Sequence, residues 1–415
     1  MRILHTGDWH LGKTLEGRSR QAEHEAFLDE LIEMAQGVDL VLVAGDLFDV
    51  YNPPAGAERL LCEAFSRLSD GGRRAVVAIA GNHDAPERVN ALRPLAETQG
   101  IYILGLPGDV SLPEQASSPG PRDRARLVAC EPSVLELALP CGETAVLAAL
   151  PYPSEARLRK MPGDKGKTEE DYSARIGHLF ADLATHYRED TVNLAMSHLF
   201  VQDGLPSESE RELVGGAFRI DPRALPETAQ YVALGHLHRA QTVRGALTNA
   251  RYAGAPLAFR MGERDQEKSV TLVEVSPGGE ARVETLPIRA GRPMLTWEAT
   301  GGVPEVLAEV AAGKHAGAFI HLRVHSPEPL NLEEIASLQK AGRDFLRIET
   351  VLPAGVSDLG PEETGRLDLP IDEQFRAFYK AQHAGSDPDE GIVSLFLELA
   401  GGAELGALPE ADEAG

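Results

Sequence analysis

The chain has little cysteine. Cys62, Cys130 and Cys141 are the only three in 415 residues, and no two form a C-x-x-C pair. A disulfide framework and a thiolate zinc site are therefore not expected, and small half-buried thiols are. There is no apolar run long enough to span a bilayer. The start lacks a basic stretch followed by an apolar one, because residues 1–6 already have the pattern of a core strand. The expectation is a cytoplasmic protein with no membrane contact. Positive charge is also scarce: 40 Lys and Arg stand against 64 Asp and Glu, a net −24. That balance speaks against unspecific attraction to nucleic acid, which relies on cations neutralising phosphates. A nucleic-acid enzyme of this charge needs locally gathered basic residues, bound metal cations or a basic surface lent by a partner.

What the chain does contain is ordinary globular composition, with 43% hydrophobic and 25% charged residues. Its length suits two or three domains. Over residues 1–104 strand signals (RILHT, DLVLVAG, AVVAIAG) alternate with amphipathic helical stretches near 20–36 and 55–69, which predicts an α/β fold. The Pro-, Gly- and Ser-rich stretch 106–126 reads as a surface excursion. Strand signals resume at 127–131, VLAAL, VNLAMS and YVALG, and a meander closes a first domain over 1–288. Residues 289–355 read as a small α/β domain with the order strand, helix, strand, helix, strand. Residues 356–415 form a joint, two short apolar helical signals and an acidic end. In that tail Phe375, Phe378, Tyr379, Leu395, Phe396 and Leu399 are too many large apolar groups for a solvated segment, so a surface is expected to cover them.

Five of the apolar runs end alike. The first ends at Asp8 and His10, the second in GDLFD with Asp46 and Asp49, the third in GNHD with Asn82, His83 and Asp84. The fourth ends at His198, and the fifth, YVALGHLH, at His236 and His238. Strand carboxyl ends form the ligand crevice of α/β folds, so these groups can meet at one sheet edge. Oxygen and imidazole donors without sulfur suit Mn²⁺, Fe²⁺ or Zn²⁺. Seven candidate ligands exceed what one ion needs; two ions sharing a carboxylate would use them all. Two ions roughly 3.5–4 Å apart are a standard device for splitting phosphate esters. His5, inside the first strand, reads as a packed core histidine. Asp49 reads as a helix cap or as support behind the ligands.

Taken in order, D-x-H, G-D-x-x-D, G-N-H-D, a lone strand-ending His and G-H-x-H resemble the calcineurin-like metallophosphoesterases over about residues 1–285. The opening RILHTGDWHLGK, the GNHD variant, RYAGAPLAF, the extra domain and the tail are similar, over the whole chain, to the double-strand-break nucleases of that family. The resemblance implies a four-layer αββα sandwich, a DNA-facing cap domain and a C-terminal helical segment that docks on an SMC-like ATPase. It implies two divalent ions, with Mn²⁺ the expected one. Asp8, His10 and His238 would hold one ion, Asn82, His198 and His236 the other, and Asp46 would bridge them. His83 would stand over the scissile phosphate and Asp84 would orient it. It further implies a homodimer through helices near 54–68 and 86–97, exonuclease action on duplex ends and endonuclease action on single strands and hairpins. The core motifs alone also allow the same chemistry on a small phosphate ester or cyclic nucleotide. Lys13, Arg18, Arg20, Arg88 and the loop residues Arg157, Arg159, Lys160, Lys165 and Lys167 are the candidate DNA contacts, against a reading of solvated surface charge.

Overall fold

The computed structural model describes residues 1–109, 123–159, 172–209, 219–342, 344–353 and parts of 373–396. The chain forms two compact units: residues 1–297 with 313–321 and 343–347, and residues 298–312 with 322–342 and 348–415.

In the first unit the apolar runs become strands. β1 (Arg2–Thr6), β2 (Leu40–Val43) and β3 (Ala75–Ile79) lie side by side and parallel, with Ile3 beside Leu40 and Leu40 beside Ala75. They are the centre of a six-stranded sheet completed by Ile101–Leu104 beyond β3, and by Ser269–Glu274 and Arg282–Pro287 beyond β1. β4 (Val192–His198) and β5 (Tyr231–Gly235) are parallel neighbours in a second, seven-stranded sheet, which brings His198 level with Gly235.

These strands have no polar side because both of their faces are covered, the usual condition of parallel strands. Alternation along each strand sorts the side chains. Leu40, Leu42, Val77 and Ile79 face Leu147, Ala149, Leu194 and Met196 across the gap between the sheets. Val41, Val43, Val76 and Ala78 face outward, under helices α1 (Gln21–Met34) and α2 (Ala55–Leu68), which contribute Phe27, Leu31, Leu61 and Phe65. On the far side, Ala148, Leu150, Ala195 and Val232 pack beneath α3 (Tyr172–Ala184) through Ile176 and Phe180. The layers run helix, sheet, sheet, helix, as expected.

Trp9, in the turn after β1, is fully buried. Its ring meets Phe27 edge-on at 5.9 Å and Phe65 at 5.8 Å, and its Nε1 donates to Thr6 Oγ1 at 3.0 Å. One side chain thus ties the turn that carries Asp8 and His10 to both outer helices.

From residue 294 onward the element order is the expected one: Met294–Ala299, Gly302–Ala311, Phe319–His325, Leu332–Ala341 and Phe345–Val351. In the second unit the helix Leu332–Ala341 opens on a reciprocal cap, Asn331 Oδ1 accepting from the Glu334 N–H at 3.0 Å and Glu334 Oε2 from the Asn331 N–H at 2.9 Å. In the tail Phe375 stacks on Phe396 at 4.2 Å and lies 6.1 Å from Tyr379. The described tail aromatics therefore cover one another at least in part. Phe378, Leu395 and Leu399, and residues 110–122 of the Pro- and Gly-rich stretch, lie outside the described residues.

Truncating Phe27 to Ala removes the ring against which Trp9 packs. Burial predicts a loss of about 3–5 kcal/mol. The urea midpoint followed by tryptophan fluorescence measures it; a change below about 1 kcal/mol would show that the turn does not depend on α1.

Candidate metal centre

Four of the five strand ends that carry candidate ligands have glycine before the donor: Gly7 before Asp8, Gly45 before Asp46, Gly81 before Asn82, Gly235 before His236; His198 follows Ser197. Three of these are dictated by space. A Cβ on Gly45 would overlap the His198 ring, one on Gly81 the Asp46 carboxylate, and one on Gly235 the Ala44 carbonyl. Asp8, His10, Asp46 and His236 themselves have left-handed backbones, with φ of 52°, 46°, 47° and 102°. Such conformations are uncommon outside glycine, tolerated best by Asp, Asn and His, and concentrate at functional sites.

The turns bring seven side chains together. Donor atoms of Asp8, His10 and His238 lie within 4.8 Å of one another, as do those of Asp8, Asp46 and His198. His10 Nε2 and His238 Nε2 face each other at 3.1 Å. Asn82 Oδ1 is 2.9 Å from His198 Nε2 and 3.1 Å from His236 Nδ1. Asp46 Oδ1 accepts from the His83 N–H at 2.9 Å, which leaves Oδ2 toward both groups, 3.6 Å from His10 Nε2 and 3.5 Å from His198 Nε2. The expected two triads and the expected shared carboxylate are thus adjacent.

Cations fit this donor set. Asp8 Oδ1 accepts from the His236 N–H at 2.9 Å, but its Oδ2 is buried with no hydrogen-bond partner among the described residues. A buried orphan oxygen beside facing imidazole nitrogens is costly unless a cation completes it. The His198 Nδ1–H donates to the Ala44 carbonyl at 2.9 Å, so Nε2 is the atom turned toward Asn82 and Asp46.

Protonation reflects the same crowding. Burial raises Asp8 to about 7, partly opposed by His198 and His238. Burial works against charge on His198, but Asp46 and Asp8 outweigh it and raise the ring to about 9. Burial lowers His10 and His236 to about 3.

His83 is held differently from the expectation. Its Nδ1–H donates to the Asp49 carbonyl at 2.7 Å, and its ring stands edge-on to His10 at 4.8 Å. Asp84 does not orient it by a side-chain contact. The Asp84 carboxylate instead accepts from the backbone N–H groups of Leu47 (3.0 Å), Phe48 (2.9 Å) and Gly81 (2.8 Å), and so ties the second turn to the third. Asp49 caps no helix, since α2 begins after Pro54; its carboxylate takes Lys13 Nζ at 2.6 Å and lies 3.3 Å from His10 Nδ1.

Most of the candidate DNA contacts have internal partners. Arg20 is buried and paired bidentately with Glu23, and also donates to the Ala258 carbonyl. Arg157 is buried too and donates to the carbonyls of Gly81 and Asp84, both at 2.8 Å, bracing the GNHD turn from behind. Neither is a solvated phosphate contact, because each guanidinium is turned inward to satisfy carbonyls. Arg18 donates to the Phe345 carbonyl at 2.8 Å, Lys13 to Asp49, Arg88 to Glu58, and Arg159, still exposed, to Glu155 at 3.3 Å. Lys160, Lys165 and Lys167 lie outside the described residues.

The structure adds residues that motif reading passes over. Phe259, the last residue of RYAGAPLAF, walls the site, 5.2 Å from the His10 ring and 5.6 Å from that of His238. Tyr152 stacks near His236 at 6.4 Å, with the Arg157 guanidinium 5.3 Å from its ring. Glu263, with no exposed surface, lies behind His238.

Comparison with known proteins places this arrangement. The family profile of calcineurin-like phosphoesterases matches residues 1–240. A protein of Bacillus subtilis named as the D component of the nuclease SbcCD is 41% identical over 97% of this chain and 99% of its own length. Its namesake in Rhodobacter capsulatus is 34% identical over 85% of this chain and 89% of its own. The Escherichia coli K12 protein of the same name is 31% identical over 71% of this chain and 70% of its own.

Two outcomes follow from this geometry. Because His198 titrates near 9 and Asp8 near 7, each holds a proton below that pH which a cation must displace. Divalent-ion affinity is expected to rise with pH from about 6 to 9, with proton release visible by calorimetry in two buffers of different ionisation enthalpy. Affinity independent of pH over that window would contradict the assignment. Gly81→Ala is expected to push Asp46 aside and weaken binding of both ions, with the circular dichroism spectrum of the fold retained.

Proposed function

The chain belongs to the calcineurin-like phosphoesterase family, and from that premise we propose that it is a metal-dependent nuclease that cleaves phosphodiester bonds in DNA. The substrates would be duplex ends, digested as an exonuclease, and single strands and hairpins, cut as an endonuclease. The observation that carries the reading is the position of Asp46 between two buried donor sets, with His83 beside them and not needed to complete either. That the substrate is DNA rather than a small ester is supported by identity to a nuclease component along 97% of the chain, well beyond the catalytic motifs.

Asp8, His10 and His238 would hold one divalent ion and Asn82, His198 and His236 the other, with Asp46 shared; Mn²⁺ suits oxygen and imidazole donors without sulfur. When bound, the ions supply positive charge that activates water and offsets charge gathering on the phosphate. The chain's own groups do the rest. Because the Asp49 carbonyl accepts the His83 Nδ1–H, Nε2 is left to face the phosphate, and the doubly protonated ring would give its Nε2 proton to the departing oxygen and remain neutral. Asp84 and Arg157 fix the turn on which His83 stands, through backbone N–H groups on one side and carbonyls on the other. Phe259 and Tyr152 limit water beside the ligands.

The same reading supplies partners. An SbcC-type, SMC-like ATPase would take the C-terminal helical segment and lend the basic surface that a chain of net charge −24 needs. A second copy would pack along 54–68 and 86–97, where Leu95 is 76% exposed. The setting would be the cytoplasm; no helix among the described residues is long and apolar enough to cross a membrane.

The test is Mn²⁺-dependent cutting of end-labelled duplex, hairpin and single-stranded DNA, with and without the ATPase partner. His83→Ala should lower turnover by roughly 10²–10⁴-fold while ion stoichiometry holds, and a chelator should abolish cutting. Turnover of a small phosphate monoester with DNA left intact, partner present, would overturn the DNA reading.

A further inference from the structure

Behind His238 three consecutive residues of one loop meet the stretch that follows RYAGAPLAF. Ser207 Oγ lies 3.2 Å from Gln266 Oε1. Glu208 lies so close over Gly262 that any Cβ there would overlap its carboxylate. Ser209 Oγ lies 2.5 Å from His238 Nδ1 and in contact with Glu263 Oε1. Glu263 is the end of this chain of contacts. It has no exposed surface, and its other oxygen accepts from Lys268 Nζ at 2.8 Å and from the Phe259 N–H at 3.1 Å.

Counting donors fixes the direction of the hydrogen bonds. An ionised carboxylate only accepts, and a serine hydroxyl has a single proton. Paired with the Lys268 ammonium, Glu263 stays ionised, so Ser209 donates to it. The Ser209 oxygen must then accept from His238, which places the imidazole proton on Nδ1. That leaves the lone pair on Nε2, the atom 3.1 Å from His10 Nε2. The negative charge of Glu263 also makes the ring a stronger donor to a cation. Neither Ser209 nor Glu263 belongs to any of the strand-end motifs.

Resting on the two-ion reading above, we propose that Ser209 and Glu263 are positioning residues for the ion held by Asp8, His10 and His238: they fix the tautomer and the orientation of His238. The site is thereby coupled to the loop at 207–209. The ion set of Asn82, His198 and His236 has no share in this relay, so the two sites depend on it unequally.

The experiment titrates Mn²⁺ alone into the full chain by calorimetry, with apo melting temperature measured alongside. Ser209→Ala and Glu263→Gln are expected to weaken one of the two ions by roughly 10–100-fold and to leave the other within about threefold. Ser209→Thr, which keeps the hydroxyl, should restore the affinity. Ser209 is only half-buried, so its variants keep the test available if Glu263→Gln fails to fold. Wild-type affinity for both ions in Ser209→Ala overturns the proposal. So does equal weakening of both ions together with a lowered apo melting temperature, which would make the contacts a general brace. A wild-type chain that binds no divalent ion would instead overturn the two-ion reading beneath it.

Discussion

The structure depends on one electrostatic constraint: two carboxylates, Asp8 and Asp46, are buried within a few ångströms of one another. Asp8 is fully buried and Asp46 is 2% exposed. Ionised carboxylates removed from water and set side by side are unfavourable unless positive charge or donors surround them. The chain provides backbone donors to one oxygen of each, from His236 to Asp8 and from His83 to Asp46. It surrounds the other oxygens with imidazoles; His198 is raised toward the charged form, while burial keeps His10 and His236 neutral. Ammonium and guanidinium groups lie farther out: Lys13 on Asp49, Lys268 on Glu263, Arg157 on carbonyls. The centre is thus left short of positive charge, which is the condition for a divalent cation to bind.

Much of this was legible because it is local. Five short, nearly continuous apolar runs, each ending in Gly or a polar residue and then a donor, state both the strands and the edge at which they end. The glycines are legible for a physical reason as well: Gly45, Gly81 and Gly235 stand where a Cβ would strike His198, Asp46 or Ala44. What could not be read is what depends on who stands opposite. His83 takes the carbonyl of Asp49, 34 positions earlier, and a carbonyl carries no side-chain signature. Asp84, next to His83 in sequence, turns away to backbone N–H groups.

Two of the candidate basic residues are misread for the same reason. Arg20 and Arg157 look like any exposed arginine in the sequence, and only the tertiary fold shows that each is buried with carbonyls to satisfy. Glu263 had even less signal, lying in the charged stretch GERDQEK, where a buried carboxylate is indistinguishable from a solvated one. Motif reading therefore finds the side chains that gather at the strand ends and misses those that brace them.

The two sheets have a consequence of another kind. Asp8, His10 and Asp46 hang from the first sheet, His198, His236 and His238 from the second, and His10 and His238 are 228 positions apart. An ion held by both would be a clasp across the chain. It would close a loop of more than half the chain, reversibly, in a protein whose cysteines are all free among the described residues. Stability would then follow divalent-ion supply, growing with the logarithm of concentration over the dissociation constant. A cell depleted of the ion would hold a protein that is inactive and also less firmly folded, and so more readily cleared.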